Sequence, residues 1–311
     1  MSEFDELDIS KDVATVSEKI IHFIETLKEE RGVEGVLILF SGYMDSTVVS
    51  KLSLEAVGEE AVKLLIRTNK YFDKQEDMLE MSLDFLGVSE ENVVKCDIEP
   101  MLKKFGARDL LPGSVREIPS LYQPLSYSLL RNTAKKEIEE NTYGMVGTAS
   151  SEREKWIHKI IAHNKLRSRL QMAIAYYTAE QENRFLVGTI NKTELSTGLF
   201  TKWGHGHCGD VMPLGNLYRS QILQLAEYLN LPESIRTLTK ADLMPGVENK
   251  YQYFFGVPAF NVDKILVCLE HGLPLNEIAD KTGLPIEIIE KINTYYNSAA
   301  YTRQAPLIPK V

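Results

Sequence analysis

The chain has 311 residues, is 44% hydrophobic and carries a formal net charge of −9, which allows a large core and opposes a polyanionic partner. No dense Lys/Arg run breaks that balance, no apolar stretch approaches the roughly 20 residues that span a bilayer, and the acidic start MSEFDELDISKD lacks the apolar core of a signal peptide. Three cysteines without paired spacing, Cys96, Cys208 and Cys268, argue against a disulfide framework, so a cytoplasmic protein with no nucleic-acid and no membrane partner is expected.

In chain order, Val13, Val16, Ile20, Ile21, Phe23, Ile24 and Leu27 recur at helical spacing and predict an amphipathic helix over 12–30. The continuous apolar run Val36 to Phe40 is short enough for a strand buried on both faces, and Ser41-Gly42 ends it. A helical pattern through Val48, Val49, Leu52 and Leu54 follows. Then come a strand at Val62 to Ile66, a helix over 76–87 and a strand at Val93 to Cys96. Residues 99–160 are mixed, with Pro112, Pro119 and Pro124 in a loop-like stretch and a strand-like Met145-Val146-Gly147. A helix over 165–180 leads into a strand at Phe185 to Thr189, and the chain after Pro258 is helical. Strands alternating with helices imply βαβ units and therefore a mostly parallel sheet covered on both faces. The expected fold is an α/β, doubly wound, Rossmann-like sheet flanked by helices with a helical C-terminal part, all in one domain over 1–311. The segment LNEIADKTGLPIEIIEKI holds two short helices around Gly283. It reads either as a DNA-binding helix-turn-helix or as a packed helical pair, and its acids Glu277, Asp280, Glu287 and Glu290 suit the pair better.

The stretch Ser41-Gly42-Tyr43-Met44-Asp45-Ser46-Thr47 lies between a predicted strand and a predicted helix. A turn at the carboxyl end of a parallel strand exposes backbone N–H groups, and the following helix aims its positive end at the same point, which makes a pyrophosphate site. Ser41, Ser46 and Thr47 add hydroxyls. Asp45 repels phosphate and makes sense as a ligand for a bridging Mg²⁺. The GKS/GKT ending of a Walker A loop is missing. The stretch resembles the SGGxDS loop of ATP pyrophosphatases, which cleave ATP between its α and β phosphates. Tyr43 replaces a glycine of that pattern, so either its ring turns away or the loop is altered.

A second signature, VGTINKTELSTGLFTKWGHGHCGDVMPLGNLYRSQ over 187–221, resembles the NAD synthetase family, within the adenine nucleotide alpha hydrolase-like proteins. The matching positions are Gly188-Thr189, Asn191-Lys192, Glu194-Leu195, Gly198, Phe200-Thr201-Lys202, Gly204, Gly206, Asp210, Pro213, Gly215 and Leu217-Tyr218. The resemblance implies that Asp45 and Glu194 share one Mg²⁺. It implies that Lys202 and Arg219 meet the phosphates, and that Arg67 and Thr189 contact the nucleotide beside Ser41, Gly42, Tyr43, Ser46 and Thr47. Asp45, Lys202 and Asp210 are the implied catalytic set. The implied reaction is adenylation of a carboxylate by ATP, then displacement of AMP by ammonia to form an amide, with deamido-NAD⁺ as the family substrate. The glycine-containing loop 201–212 reads as a lid that would protect the adenylate from water. A homodimer is the family expectation. Free ammonia is the implied nitrogen source unless a separate amidase partner delivers it.

The family's YGDG becomes Trp203-Gly204-His205-Gly206, followed by His207-Cys208-Gly209-Asp210. Its GQTDE element becomes Gly246-Val247-Glu248-Asn249, and its SEHKR element becomes Ser298-Ala299-Ala300-Tyr301-Thr302-Arg303. Both altered elements belong to the acceptor half. A paralogue acting on another carboxylate, and a nucleotide-binding regulator without turnover, therefore stand beside the NAD synthetase reading. His205, His207 and Cys208 could offer soft ligands to zinc, or be replaced polar residues of the lid.

Overall fold

The computed structural model describes residues 3–67, 73–105, 152–205, 207, 209–237 and 249–304. The strand-like Met145-Val146-Gly147, Pro112, Pro119 and Pro124, Gly206, Cys208 and the segment Gly246-Val247-Glu248 lie outside those residues.

Four parallel strands, β1 (Gly35–Phe40), β2 (Val62–Arg67), β3 (Val93–Cys96) and β4 (Arg184–Val187), form one sheet in the order β3-β2-β1-β4. The chain runs outward from β1 to β3 on one side and then returns to add β4 on the other. The loops after β1 and β4 therefore diverge at the switch point where ligands of open α/β sheets collect. Val36 to Phe40, expected as a buried strand, is β1; the strands expected at Val62 to Ile66 and Val93 to Cys96 are β2 and β3, and the one expected at Phe185 to Thr189 is β4, which ends at Val187.

Alternate side chains of a strand face opposite sides. Val36, Ile38 and Phe40 of β1, with Val62, Leu64 and Ile66 of β2, pack against α1 (Val13–Arg31), α2 (Met44–Val57) and α7 (Arg219–Tyr228). Leu37, Leu65 and Leu186 face the other way, onto Met172, Ala175 and Ala179 of α5 (Glu152–Gln181). Burial on both faces removes any need for polar alternation, which is why β1 reads as an unbroken GVLILF. Between these elements lie α3 (Asp73–Leu86), α4 (Glu99–Lys104) and α6 (Lys192–Thr197).

The C-terminal helices α8 (Glu233–Thr237), α9 (Lys250–Phe255), α10 (Ala259–Glu270), α11 (Leu275–Thr282) and α12 (Ile286–Arg303) complete the described chain. A second core built on α9 to α12 joins Tyr251, Phe254, Val262, Ile265, Leu266, Ile278, Ile289 and Ile292. Gly283 ends α11 in the left-handed region at φ 67°, and Ile278 and Ile289 on either side of it are fully buried. The segment with helix-turn-helix periodicity is thus a packed helical pair. Leu7, from the acidic N-terminus, is 2% exposed and belongs to the same core. Among the described residues no helix is long and apolar enough to cross a membrane.

Candidate active site

The turn after β1 is built from its own hydroxyls. Ser46 Oγ donates to Tyr43 O at 2.9 Å, accepts from Ser41 N–H at 3.3 Å and lies 3.0 Å from Ser41 Oγ. Thr47 Oγ1 also donates to Tyr43 O, at 2.9 Å. Gly42 sits at φ +78°, and a Cβ there would stand 3.0 Å from Leu79 Cα, so the glycine is required for close approach of α3. Ser82 Oγ of α3 donates to Gly42 O at 2.7 Å and fixes that approach. Tyr43 has φ −88° and ψ 166°, ordinary extended backbone, and its side chain packs beside the main core. Tyrosine in place of glycine therefore costs no backbone strain.

Asp45, in the first turn of α2, and Glu194, in the first turn of α6, come together although they are far apart in sequence. Asn191 holds both. Its Nδ2 donates to Asp45 Oδ1 at 3.3 Å, and its backbone N–H donates to Glu194 Oε2 at 3.2 Å. Its Oδ1 accepts from Glu194 N–H at 2.9 Å, completing a capping box at the start of α6. Each carboxylate also meets a cation: Arg219 Nη1 bonds Asp45 Oδ2 and Lys250 Nζ bonds Glu194 Oε1. Burial raises the Glu194 pKa above the ordinary carboxylate value and the Asp45 charge pushes the same way, while Lys250 opposes both. Burial is the largest influence on Arg219 and works against its charge, but Asp45, Tyr251 and Glu194 together oppose it and the guanidinium pKa is raised.

Two crowded carboxylates with hard oxygen donors suit Mg²⁺, which is typically held by one or two carboxylates plus substrate phosphates. Among the described residues no cluster of three His, Cys, Asp or Glu could hold a metal on protein ligands alone. Asp45 and Glu194 fit a metal completed by phosphate oxygens, with the phosphate loop beside them.

A second group adjoins the loop at Ser41. Leu39, Phe40, Ser41, Leu65, Arg67, Gln171 and His205 line a small recess beyond the ends of β1 and β2. With its amide oxygen turned to Arg67, Gln171 accepts from Nε at 3.2 Å and from Nη1 at 3.0 Å, and its nitrogen donates to His205 Nδ1 at 2.9 Å. Ser168 Oγ lies 2.7 Å from the same nitrogen. His205, where the family pattern has aspartate, thus joins the wall that carries Arg67.

The loop after Thr201 is closely packed. A Cβ on Gly204 would stand 2.2 Å from Ser168 Oγ, and one on Gly209 would stand 2.6 Å from Gly188 N. These two glycines permit contact with α5 and with the end of β4. His207 stacks on Phe200 with centroids 4.3 Å apart and accepts from Trp203 N–H at 3.3 Å. Burial, with Lys202 nearby, lowers its pKa to about 4. His205 and His207 are therefore engaged separately, and Cys208 lies outside the described residues. Lys202 has its backbone oxygen accepting from Arg169 Nε at 3.3 Å and its Nζ 5.4 Å from the centroid of the Trp203 ring. Thr189 is half-buried just past β4. Asp210 exchanges two bonds with Leu186, its N–H donating to the carbonyl at 2.7 Å and its Oδ2 accepting from the amide at 2.8 Å. Asp210 therefore pairs with the backbone of β4, while Asp45, Glu194 and Arg219 converge.

The match to a single family model, NAD synthase, extends over residues 16–118 and 120–306. This chain belongs to the NAD synthase family. It is 31% identical to an NH3-dependent NAD+ synthetase of Thermotoga neapolitana over 96% of this chain and 97% of that protein. It is 32% identical to an NH3-dependent NAD+ synthetase of Thermotoga maritima over 94% and 98%. Among solved structures, an NH3-dependent NAD synthetase from Campylobacter jejuni superposes with a TM-score of 0.65 at 20% identity, covering 96% of this chain and all (100%) of that one. The family fold is thus the fold seen here. Sequence reasoning gave no role to Lys250, Gln171 or Asp263. Asn191 stood in the signature without a role, although Asn-x-x-Glu before a helix is a legible capping pattern.

Proposed function

We propose that the chain is an ammonia-dependent NAD⁺ synthetase, a C–N ligase that converts deamido-NAD⁺, ammonia and ATP to NAD⁺, AMP and pyrophosphate. A substrate carboxylate oxygen attacks the α-phosphorus of ATP, and the bond to pyrophosphate breaks. Ammonia then attacks the acyl carbon of the adenylate, AMP leaves, and the nitrogen loses a proton. The carrying observation is the convergence of Asp45 and Glu194 on Asn191 beside the phosphate loop, at the switch point of the sheet.

In this reading Asp45 and Glu194 hold Mg²⁺, which when bound neutralises phosphate charge. The backbone after β1 receives the phosphates, with the hydroxyls of Ser41, Ser46 and Thr47 keeping that turn in shape. Arg219 holds Asp45 in orientation through its bond to Oδ2. Arg67 and Thr189 flank the nucleotide, and Lys202 meets the charge that develops on the phosphates during displacement. Asp210 serves the reaction by fixing the loop against β4. Catalysis is mostly positioning and charge neutralisation. The enzyme acts as a homodimer in the cytoplasm, on free ammonia or on ammonia passed from a separate amidase. The free thiols of Cys96 and Cys268 agree with a reducing compartment.

The test is AMP and pyrophosphate release from Mg-ATP over a panel of carboxylates, with and without ammonia. Deamido-NAD⁺ should give one AMP per NAD⁺ and depend on ammonia for amide formation. Turnover only with another acid, or ATP binding without turnover on any, would overturn the assignment.

A further inference from the structure

Asp263 lies outside both sequence signatures of the site, on α10 in the second core, and is 0% exposed. Its neighbours Val262, Ile265 and Leu266 are equally buried, so an apolar residue would pack there without the penalty of burying a charge. Each oxygen of its carboxylate instead accepts a hydrogen bond. Oδ1 accepts from Thr193 Oγ1 at 2.6 Å, and Oδ2 accepts from Ser220 N–H at 2.8 Å. Thr193 Oγ1 in turn accepts from Arg219 N–H at 2.8 Å.

The geometry of these three bonds is specific. Thr193 precedes Glu194 in α6, and Arg219 and Ser220 open α7. The first N–H groups of a helix have no partner inside it. Here Thr193 and Asp263 take the first two of α7, and the negative charge sits where two helix N-termini converge. One carboxylate thereby ties together the helix that carries Glu194 and the helix that carries Arg219, and anchors both to a rigid core.

We propose that Asp263, acting through Thr193, is the positioning residue of the metal and phosphate site, fixing Glu194 and Arg219 relative to each other and to Asp45. It touches no reacting atom. The inference rests on the reading of Asp45 and Glu194 as the metal pair.

The variants are Thr193→Ser, which keeps the hydroxyl, Thr193→Val, which keeps the shape, and Asp263→Asn, with Asp45→Asn and Glu194→Gln as controls. Mn²⁺ affinity in the presence of ATP is read by electron paramagnetic resonance, beside kcat, KM for ATP and Tm. Loss of an outer partner of a metal ligand typically costs about 10–100-fold in metal affinity or activity. Thr193→Val and Asp263→Asn should therefore weaken Mn²⁺ binding by about 10-fold or more and lower kcat in step, with Thr193→Ser close to wild type. A purely structural role would lower Tm and leave the Mn²⁺ affinity of the folded protein unchanged. That result, or Thr193→Ser falling as far as Thr193→Val, overturns the proposal. Should Thr193→Val fail to fold, Asp263→Asn, which keeps the shape and one acceptor oxygen, decides alone. If Asp45→Asn and Glu194→Gln retain wild-type Mn²⁺ binding, it is the metal pair itself that is wrong.

Discussion

Replacing Arg219 by methionine tests whether the two carboxylates share one electrostatic site. The Arg219 side chain is 6% exposed and its partner Asp45 is 17% exposed, so the pair is largely out of water. Removing one member of a buried pair costs about 3–5 kcal/mol, because the other charge stays behind without compensation. The residual exposure of Asp45 puts the expected cost at the low end, about 3 kcal/mol. With a urea slope of about 3 kcal/mol per molar, the unfolding midpoint should fall by about 1 M. Asp45→Asn in the same chain removes the stranded charge, and with it the repulsion on Glu194. The double variant should therefore be more stable than Arg219→Met alone, by about 1–2 kcal/mol in a double-mutant cycle. The assay is urea denaturation of wild type, both single variants and the double at neutral pH. If Asp45→Asn destabilises the Arg219→Met chain as much as it destabilises wild type, the two groups are energetically independent and the reasoning about a single charge cluster fails.

Glu194→Gln keeps the capping bonds but removes the charge. It should cut turnover by at least about 100-fold, measured as pyrophosphate release. Lys202→Met should lower kcat by about 100-fold, with a smaller change in KM for ATP, if the lysine acts on charge that develops in the transition state. Gly42→Ala forces a side chain into the left-handed region and toward Leu79 Cα at 3.0 Å, so a loss of at least about 1 kcal/mol is expected in denaturant unfolding. His207 has a folded pKa of about 4 against 6.5 unfolded, so the unfolded state binds the extra proton between those values. Its contribution is present above pH 6.5 and is lost as pH falls through 4, by at most about 3 kcal/mol. His207→Phe, which can stack on Phe200, should flatten the acid side of the stability profile over that window; an unchanged profile would exclude His207 as its source.

The centre of the sheet was legible because β1 is buried on both faces and appears as the unbroken apolar run GVLILF, while in β2, VKLLIR, Lys63 alone interrupts the run before Arg67. Asp45 and Glu194 were legible for a related reason. The ends of parallel strands are where ligands gather, and each acid follows a strand end within a short turn. Asp210 entered through the family resemblance alone, and its bonds to Leu186 of β4 were not visible in the sequence. Tyr43 looked like an intrusion into a glycine position. Its φ of −88° shows that only Gly42, at +78°, carries the conformational demand of the turn.

Lys250 and Asp263 were not legible, and for one physical reason. Lys250 meets Glu194 across 56 residues and Asp263 meets Thr193 across 70, from helices whose sequence pattern reports only the packing of the second core. Apolar periodicity tells which face of a helix is buried, and it is silent on what a polar residue within that face bonds to. A carboxylate inside such a face is then most informative where the pattern asks for a hydrophobe. Asp263 interrupts the run Val262 to Val267 at a position where burial pushes its pKa up to about 6, and Thr193 and Ser220, with Arg219 beyond them, are what draw it down. An acid kept against that penalty marks where the second core is joined to the site, so the helical C-terminal part serves the chemistry by holding the starts of α6 and α7 at a fixed separation.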